Sequence, residues 1–309
     1  MRERSVVSEG AAFGAFEMLP RQRTLWQMAL QRLLRNRLAV LGLVLIALMG
    51  GLWAVSTAVP TVRRYHPYRY QNYSALNEGP SWEHWFGTDN LGRDNYSRVL
   101  TGIGLSLQVG LGVAASIFVL GTVVGGAAAL GGKMTDNLLM RFTDITYAFP
   151  DLLLIILIQA IFAGRSFPPP VVQVIFAISV VAWVTVARLV RGQMLSLKQR
   201  DFVVAARALG ASEWRIVFQH LFPNALGPVI VAITFAVPGA IFAEAALSFI
   251  GVGLPPPTTS LGRLVNDGRA YVQTNPSVIL FPAGAISLLM LSFTFIGDGL
   301  RDALDPRTR

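Results

Sequence analysis

The sequence contains no cysteine among its 309 residues, which excludes disulfide bonds, thiolate catalysis and cysteine-based metal sites. Histidine is scarce as well: His66, His84 and His220 lie far apart and lack the spacing of metal ligands. We therefore predict no metal site and no bound cofactor. Charged residues make up only 14% of the chain, against about 25% in a typical soluble domain. With 53% hydrophobic residues and a mean hydropathy of +0.53, the composition favours an integral membrane protein.

The sequence also lacks the short motifs of nucleotide binding and of hydrolytic catalysis. The segment GGAAALGGKMT at 125–135 resembles a phosphate-binding loop, but Ala127 and Met134 stand where that motif requires glycine and a hydroxyl residue. We therefore expect no catalytic residues in this chain. Gly121, Gly125 and Gly126 are expected instead to permit close helix packing, because small residues four apart let two backbones approach.

Long apolar runs predict an all-α integral membrane protein with six transmembrane helices. A spanning helix needs roughly 20 mostly apolar residues. Asp144, Pro150 and Asp151 interrupt the third run, so we expect a kink there. The predicted spans are 38–60, about 104–130, 138 or 145 to 164, about 171–190, about 225–249 and about 276–297. A polar segment of 37 residues precedes the first apolar run. That run is too long for the hydrophobic region of a signal peptide, so we expect it to remain in the protein as a membrane anchor.

Positive charge predicts the orientation of these spans, because lysine and arginine are enriched in cytoplasmic loops. Most of the 26 lysines and arginines fall on one side when the N-terminus is placed inside. In a membrane protein, lysine and arginine more often mark cytoplasmic loops, so we predict no nucleic-acid partner despite the net charge of +9. The predicted parts are a cytoplasmic tail 1–37, the span 38–60, an external loop 61–102, a five-helix core 103–297 and a cytoplasmic tail 298–309.

Two external segments are predicted to be sizeable. The first carries Trp82 and Trp85 among several aromatic residues, which either lie at the membrane interface or contact an external partner. The second, 251–277, contains the triple proline Pro255, Pro256 and Pro257, which favours a stiff, extended path.

Acidic residues within apolar runs are costly and therefore candidates for function. Asp144 follows Arg141 by three residues, so the two share a helix face and are predicted to form a structural ion pair. Glu244 lies near the outer end of the fifth span, where bonding to a loop and contact with substrate are equally open.

The segment DFVVAARALGASEWRIVFQHLFPN at 201–224 cannot enter lipid, and it reads as a hairpin of two short helices over 201–222. Gly210 stands where a helix C-terminal glycine belongs, and Ser212 is a good N-cap for the second helix. Pro223 is predicted to end that helix. The apolar stripes are Phe202, Ala205, Ala206 and Leu209 in the first helix, and Trp214, Val217, Phe218 and Leu221 in the second. Such a face either docks into a partner or lies on the membrane surface.

The same residues resemble a known family. VAARALGASEWRIVFQHLFPN is similar to the EAA loop of ABC importer permeases, with Ala205, Ala206, Gly210 and Pro223 matching its pattern. HWFGTDNLGRDNYSRVLTG at 84–102, DITYAFPDLLL at 144–154, EAALSFIGVGLPPPTTSLG at 244–262 and GDGLRDALDPR at 297–307 resemble further segments of dipeptide/oligopeptide-type permeases in the same order. The single span before the external loop is typical of the C-type subunit. The family's loop glutamate is Val204 here, and Phe222 replaces the leucine before the final proline.

The resemblance implies a type I ABC importer permease that forms half of a translocation path. Its partners would be a homologous second permease, two cytoplasmic ATP-binding subunits, an extracytoplasmic substrate-binding protein and the lipid bilayer of the inner cell membrane. Trp82, Trp85 and Pro255–Pro257 would face the binding protein. The hairpin would couple ATP hydrolysis to transport through a set of eight residues, Asp201, Ala205, Ala206, Arg207, Leu209, Gly210, Glu213 and Trp214.

Other functions remain open at this point. Members of the family carry di- and oligopeptides, and relatives carry nickel, glutathione or oligosaccharides. A secondary transporter is the more distant alternative, although it would require paired acids or a visible repeat that the sequence does not clearly contain.

Overall fold

The computed structural model describes residues 25–59 and 69–304. Within these ranges the chain is helical, with one isolated bridge between Thr88 and Asp94 as its only β pairing. The all-α prediction is confirmed. The helices are α1 Leu25–Arg35, α2 Arg37–Ala58, α3 Asn95–Leu130, α4 Gly132–Ala148, α5 Asp151–Phe162, α6 Pro170–Leu197, α7 Asp201–Ala208, α8 Glu213–Ile216, α9 Phe222–Phe249, α10 Leu261–Gly268 and α11 Ser277–Leu304.

Five helical stretches in the described residues are long and apolar enough to cross a membrane: α2, α3, α6, the stretch from α8 through α9, and α11. A sixth span results if α4 and α5 together count as one. These helices are long and carry few charges, which suits burial in lipid. A helix can cross lipid because its backbone groups form hydrogen bonds with one another. The protein is therefore an integral membrane protein.

The third predicted span is not one straight helix. α4 and α5 meet at 90°, with Phe149 and Pro150 between them. Proline cannot donate a backbone hydrogen bond, so α4 ends before it and α5 begins with Asp151 in its first turn, where a negative charge suits the helix dipole. The sequence predicted the break but not the size of the angle.

The main core lies where α3, α6 and α9 pack together. Buried residues of all three helices fill it, among them Val113, Ile117, Val184 and Val229. Close approach of α3 to α6 requires glycine, because a Cβ at Gly121 would lie only 2.6 Å from Cβ of Val186. The predicted packing role is confirmed for Gly121 and also for Gly125, whose Cβ would meet the Ala187 carbonyl. Gly126 has ordinary space around it and does not share this role.

A second cluster joins α10 to three of the long helices. Leu261 and Leu264 of α10 are fully buried against α3, α9 and α11. α10 thus rests on the ends of three spans, on the side predicted to be external. At the opposite end, α1 packs through Ala29 and Leu33 onto α2 and α11.

Candidate functional site

The turn of the 201–222 hairpin is a glycine-terminated helix end. Gly210 has φ +81°, and its N–H donates to the Arg207 carbonyl over 2.9 Å. The N–H of Ala211 donates to the Ala206 carbonyl over 3.0 Å. These two bonds define a Schellman motif, in which the residue after the cap adopts the left-handed conformation that favours glycine. The prediction that Gly210 ends the first helix of the hairpin is confirmed.

The second arm of the hairpin begins as predicted and ends differently. The Ser212 hydroxyl accepts a hydrogen bond from the Arg215 N–H and caps α8. Residues Val217–Leu221 then form a π-helical turn, in which the Phe222 N–H donates to the Val217 carbonyl. This turn leads directly into α9. The prediction that Pro223 ends the helix is wrong, because α9 continues from Phe222 to Phe249. Pro223 lies in the first turn of α9, where a backbone N–H needs no partner within the helix, so the missing N–H of proline is tolerated.

One face of the hairpin is buried against the ends of the spans. Val203, Ile216, Val217 and Leu221 form a small core with no more than 8% exposure of any side chain. Leu130 and Leu197, at the inner ends of α3 and α6, pack against this core. The hairpin is therefore a rigid extension of the helix bundle.

The other face of the hairpin is open. Leu209 is 88% exposed, Trp214 is 72% exposed, and the Trp214 ring stacks on Phe218 with centroids 5.8 Å apart. Of the predicted first stripe, Phe202, Ala205 and Leu209 are exposed, while Ala206 is half-buried against the hairpin core. Val204, which replaces the family glutamate, is 56% exposed. The predicted second stripe is divided, since Val217 and Leu221 face inward and Trp214 and Phe218 face outward.

An ion pair closes the hairpin across its turn. The Arg207 guanidinium donates to both carboxylate oxygens of Glu213, over 2.9 and 3.1 Å. The hydrogen bond and the negative charge of Glu213 raise the pKa of Arg207 above its ordinary value. The pair is exposed and bridges the two arms. Asp201 lies exposed at the start of α7.

The predicted ion pair between Asp144 and Arg141 is wrong. Asp144 instead accepts a hydrogen bond over 2.9 Å from Arg188 of α6, whose guanidinium also lies 4.7 Å from the centre of the Tyr147 ring. A second ion pair joins the same helices. Nε and Nη2 of Arg191 donate hydrogen bonds to the two carboxylate oxygens of Asp136, over 2.5 and 2.6 Å. The two pairs attach α4 to α6 through partners that helical spacing within α4 could not reveal.

The described part of the predicted first external loop is folded around a buried arginine that the sequence did not reveal as important. Arg98 is 1% exposed, and its guanidinium donates to Asp89 over 2.6 Å and to Asp267 over 3.1 Å. Nearby, the ring of His84 lies 3.1 Å from the Asp94 carboxylate. These contacts hold the loop 69–94 against α3 and α10. We call this folded loop the external cap.

The predicted external contact residues lie on the open side of this region. Trp82 is 89% exposed and Trp85 is 42% exposed, with the Trp85 ring edge-on to Tyr96. Pro255, Pro256 and Pro257 are all exposed. Glu244, by contrast, is fully buried and accepts a hydrogen bond from the Ser248 hydroxyl over 2.7 Å. Ser248 Oγ in turn accepts from the Leu254 N–H, so Glu244 supports the loop that carries the prolines.

Two family descriptions match the chain. Residues 117–309 match the family described as "Binding-protein-dependent transport system inner membrane component". Residues 24–80 match the "N-terminal TM domain of oligopeptide transport permease C". The two matches together include the first span, the core and the hairpin.

Curated relatives are similar over nearly the whole chain. The oligopeptide transport system permease protein OppC of Bacillus subtilis is 39% identical over 286 residues, which are 93% of this chain and 91% of the relative. The dipeptide transport system permease protein DppC of Alkalihalophilus pseudofirmus is 39% identical over 284 residues, covering 92% and 90% of the two chains. OppC of Haemophilus influenzae is 38% identical over 297 residues, covering 95% and 92%.

The fold is also found in a solved transporter. A chain of the MetNI methionine ABC transporter, in an inward-facing conformation, superposes with a TM-score of 0.56 at 21% identity, covering 67% of this chain and 96% of that one. This likeness concerns the fold, which is that of an ABC importer permease. The family matches and the identities over nine-tenths of the chain lead to one conclusion: this chain belongs to the binding-protein-dependent ABC importer permeases, in their oligopeptide and dipeptide permease C group.

Proposed function

We propose that the protein is the permease subunit that forms half of the translocation path for di- and oligopeptides in an ATP-driven importer. The observation that carries this proposal is the identity of 39% over more than nine-tenths of the chain with permeases named for oligopeptide and dipeptide transport. The chain itself supplies a membrane path and no catalytic group. ATP hydrolysis is the work of separate subunits.

The hairpin 201–222 is the element that couples the permease to an ATP-binding subunit. Its inner face is fixed to α3 and α6, while its outer face presents Leu209 and Trp214 to solvent. An exposed apolar knob on a rigid base suits insertion into a groove of a partner protein. Six further residues complete the coupling set by position: Asp201, Ala205, Ala206, Arg207, Gly210 and Glu213. Two such ATPases would serve the complete importer, one for each permease.

The external cap and the proline loop receive the extracytoplasmic binding protein. Exposed tryptophan side chains are frequent energetic centres of protein interfaces, and Trp82 is 89% exposed. Pro255–Pro257 add a stiff ridge beside it. Both surfaces lie on the side of the membrane opposite to the hairpin, as delivery of substrate on one side and ATP-driven force on the other require. The N- and C-termini are then cytoplasmic, and the protein resides in the inner cell membrane.

The path itself is completed by a second, homologous permease. In this proposal, each permease supplies one wall of the path, and the two subunits together enclose it. The substrate-binding protein selects the cargo, and nickel, glutathione or an oligosaccharide is the alternative cargo.

Import into vesicles tests the proposed function. The permease is reconstituted with its partner permease, the ATPases and the binding protein, and uptake of a labelled tetrapeptide is measured. Uptake that requires both ATP and the binding protein and survives collapse of the proton gradient is expected. Uptake that follows the ion gradient and ignores ATP would support a secondary transporter instead, and uptake of nickel, glutathione or an oligosaccharide in place of the peptide would reassign the cargo.

A further inference from the structure

A cavity of about 720 Å³ opens on the external side, where the outer ends of α5 and α6 meet the loop 251–256. This volume is in the range of small-ligand sites. Much of the wall is apolar, from residues such as Ile156 and Leu254. Its polar lining consists of Gln159, Arg165, Ser166, Gln173 and Arg263. Among the described residues, no aspartate or glutamate lines this cavity, so its charge is positive.

Gln159, one of the residues that line the cavity, has an unused hydrogen-bond donor. Its side chain is 9% exposed, and the buried Nε2 atom has no hydrogen-bond partner among the described residues. An unsatisfied buried donor is costly, and most such groups in proteins are paired. The amide therefore suits a ligand that brings an acceptor into the cavity.

Two arginines stand at the same cavity in fixed positions. Gln173 donates hydrogen bonds to the carbonyls of Arg165 and Pro168, over 3.1 and 2.7 Å, and so holds the short loop that carries Arg165. Arg263 lies in the first turn of α10, where the Ser260 hydroxyl accepts its backbone N–H. Neither guanidinium forms an ion pair with a described carboxylate.

We propose that this cavity binds the C-terminal carboxylate of the transported peptide after its release from the binding protein, an inference that rests on the proposed function. A guanidinium fork matches the two oxygens of a carboxylate, and an amide N–H supplies a further bond to one of them. The apolar wall receives the adjoining side chain. Arg165 and Arg263 could also meet acidic groups of a docking protein, but the lining residue Gln159 has a buried amide nitrogen without a partner, which favours the smaller ligand.

The import rates of two peptides test the site in the complete importer: one with a free C-terminal carboxylate, and the same sequence with a C-terminal amide. Both peptides are labelled and supplied on saturating binding protein, and their import rates are measured for the wild type and for Arg263→Gln, Arg165→Gln and Gln159→Leu. Each variant is expected to lower import of the free-acid peptide about tenfold, the effect of losing one charge-assisted hydrogen bond. Import of the amide should change less than about twofold. Arg269→Gln, an exposed arginine of the same external segment outside the cavity, is the matched control and should leave both rates unchanged.

The possible outcomes separate the inference from the proposed function. Wild-type import of peptides together with equal rates for acid and amide in every variant would overturn the carboxylate site and leave the proposed function intact. Equal losses for acid and amide in the two arginine variants would also overturn it and assign the arginines to docking of the binding protein. If the wild-type importer moves no peptide at all, the proposed function falls and the inference falls with it.

Discussion

At the scale of single residues, Arg98 is the buried charge that joins the external cap to α10. It is 1% exposed and is held by Asp89, itself nearly buried, and by the partly exposed Asp267. A buried charge is tolerated only when it is paired, and loss of one partner leaves the other uncompensated. The partners lie 9 and 169 residues from Arg98 along the chain. The sequence marked this segment as a family motif, but it gave no means of knowing which carboxylates Arg98 would meet.

Replacing this guanidinium should therefore unfold the cap more easily. Arg98→Met keeps the length and much of the volume of the side chain. It leaves the buried Asp89 with Arg93 as its remaining charged partner and removes the arginine that Asp267 contacts. We expect a loss of about 3–5 kcal/mol in the free energy of unfolding, measured as thermal unfolding of the detergent-solubilised protein. Arg269→Met, at an exposed position, is the control and should change stability by less than about 0.5 kcal/mol. Equal melting temperatures for the two variants would contradict the role given to Arg98.

Asp144 shows a second limit of inference at this scale. Helical spacing placed it on one face with Arg141, which is correct geometry within α4. Its partner is nevertheless Arg188, 44 residues later on α6. Spacing identifies neighbours within a helix, whereas contacts between helices depend on packing, and here packing offered Asp144 an arginine that also lies over Tyr147.

At the scale of elements, the hairpin was largely predictable from its sequence. A glycine after an apolar stripe, followed by a serine and an acidic residue, is a strong local signal for one helix ending and another beginning. The continuation past Pro223 was not predictable. The π-helical turn at Val217–Leu221 shifts the hydrogen-bond register by one residue before the proline, so its missing N–H interrupts nothing.

The turn at Gly210 supports a prediction of its own. Gly210→Val forces a β-branched residue into a left-handed conformation at φ +81°, at a cost of roughly 1–2 kcal/mol or more. Gly210→Asn is the matched variant, since asparagine adopts this conformation far more readily. No atom lies within 4 Å of the added Cβ, so backbone conformation and not crowding separates the two. We expect reduced retention of the ATPase subunits on co-purification for the valine variant and near-normal retention for asparagine. Equal retention would count against a need for this turn.

At the scale of the whole molecule, the apolar runs predicted the spans well because a lipid environment imposes both length and composition. The same constraint does not reach the external cap, which is held by buried ion pairs. It also could not fix the 90° angle between α4 and α5, which depends on how both helices pack against α6. The positions of the spans could therefore be predicted from the sequence, whereas the ion pairs between distant residues could not.

The proposed orientation predicts labelling from opposite sides. The chain has no cysteine, so single cysteines report without background. Leu76→Cys in the external cap and Leu209→Cys in the hairpin replace side chains that are 47% and 88% exposed. A membrane-impermeant maleimide should label the first in intact cells and the second only after the membrane is opened. Labelling of both from the same side would contradict the orientation.

The central claim is that the open face of the hairpin couples ATP hydrolysis in partner subunits to movement through this permease. Peptide import by the reconstituted complex tests it most directly when Leu209→Asp is compared with Met134→Asp. Met134 is 77% exposed and also lies on the predicted cytoplasmic side, at the start of α4, outside the hairpin. A carboxylate at position 209 would be buried without a partner in the proposed contact, at a cost of several kcal/mol. The account predicts that Leu209→Asp lowers ATP-driven import by a factor of about ten or more, while Met134→Asp imports at the wild-type rate; wild-type import by the Leu209→Asp complex would contradict it.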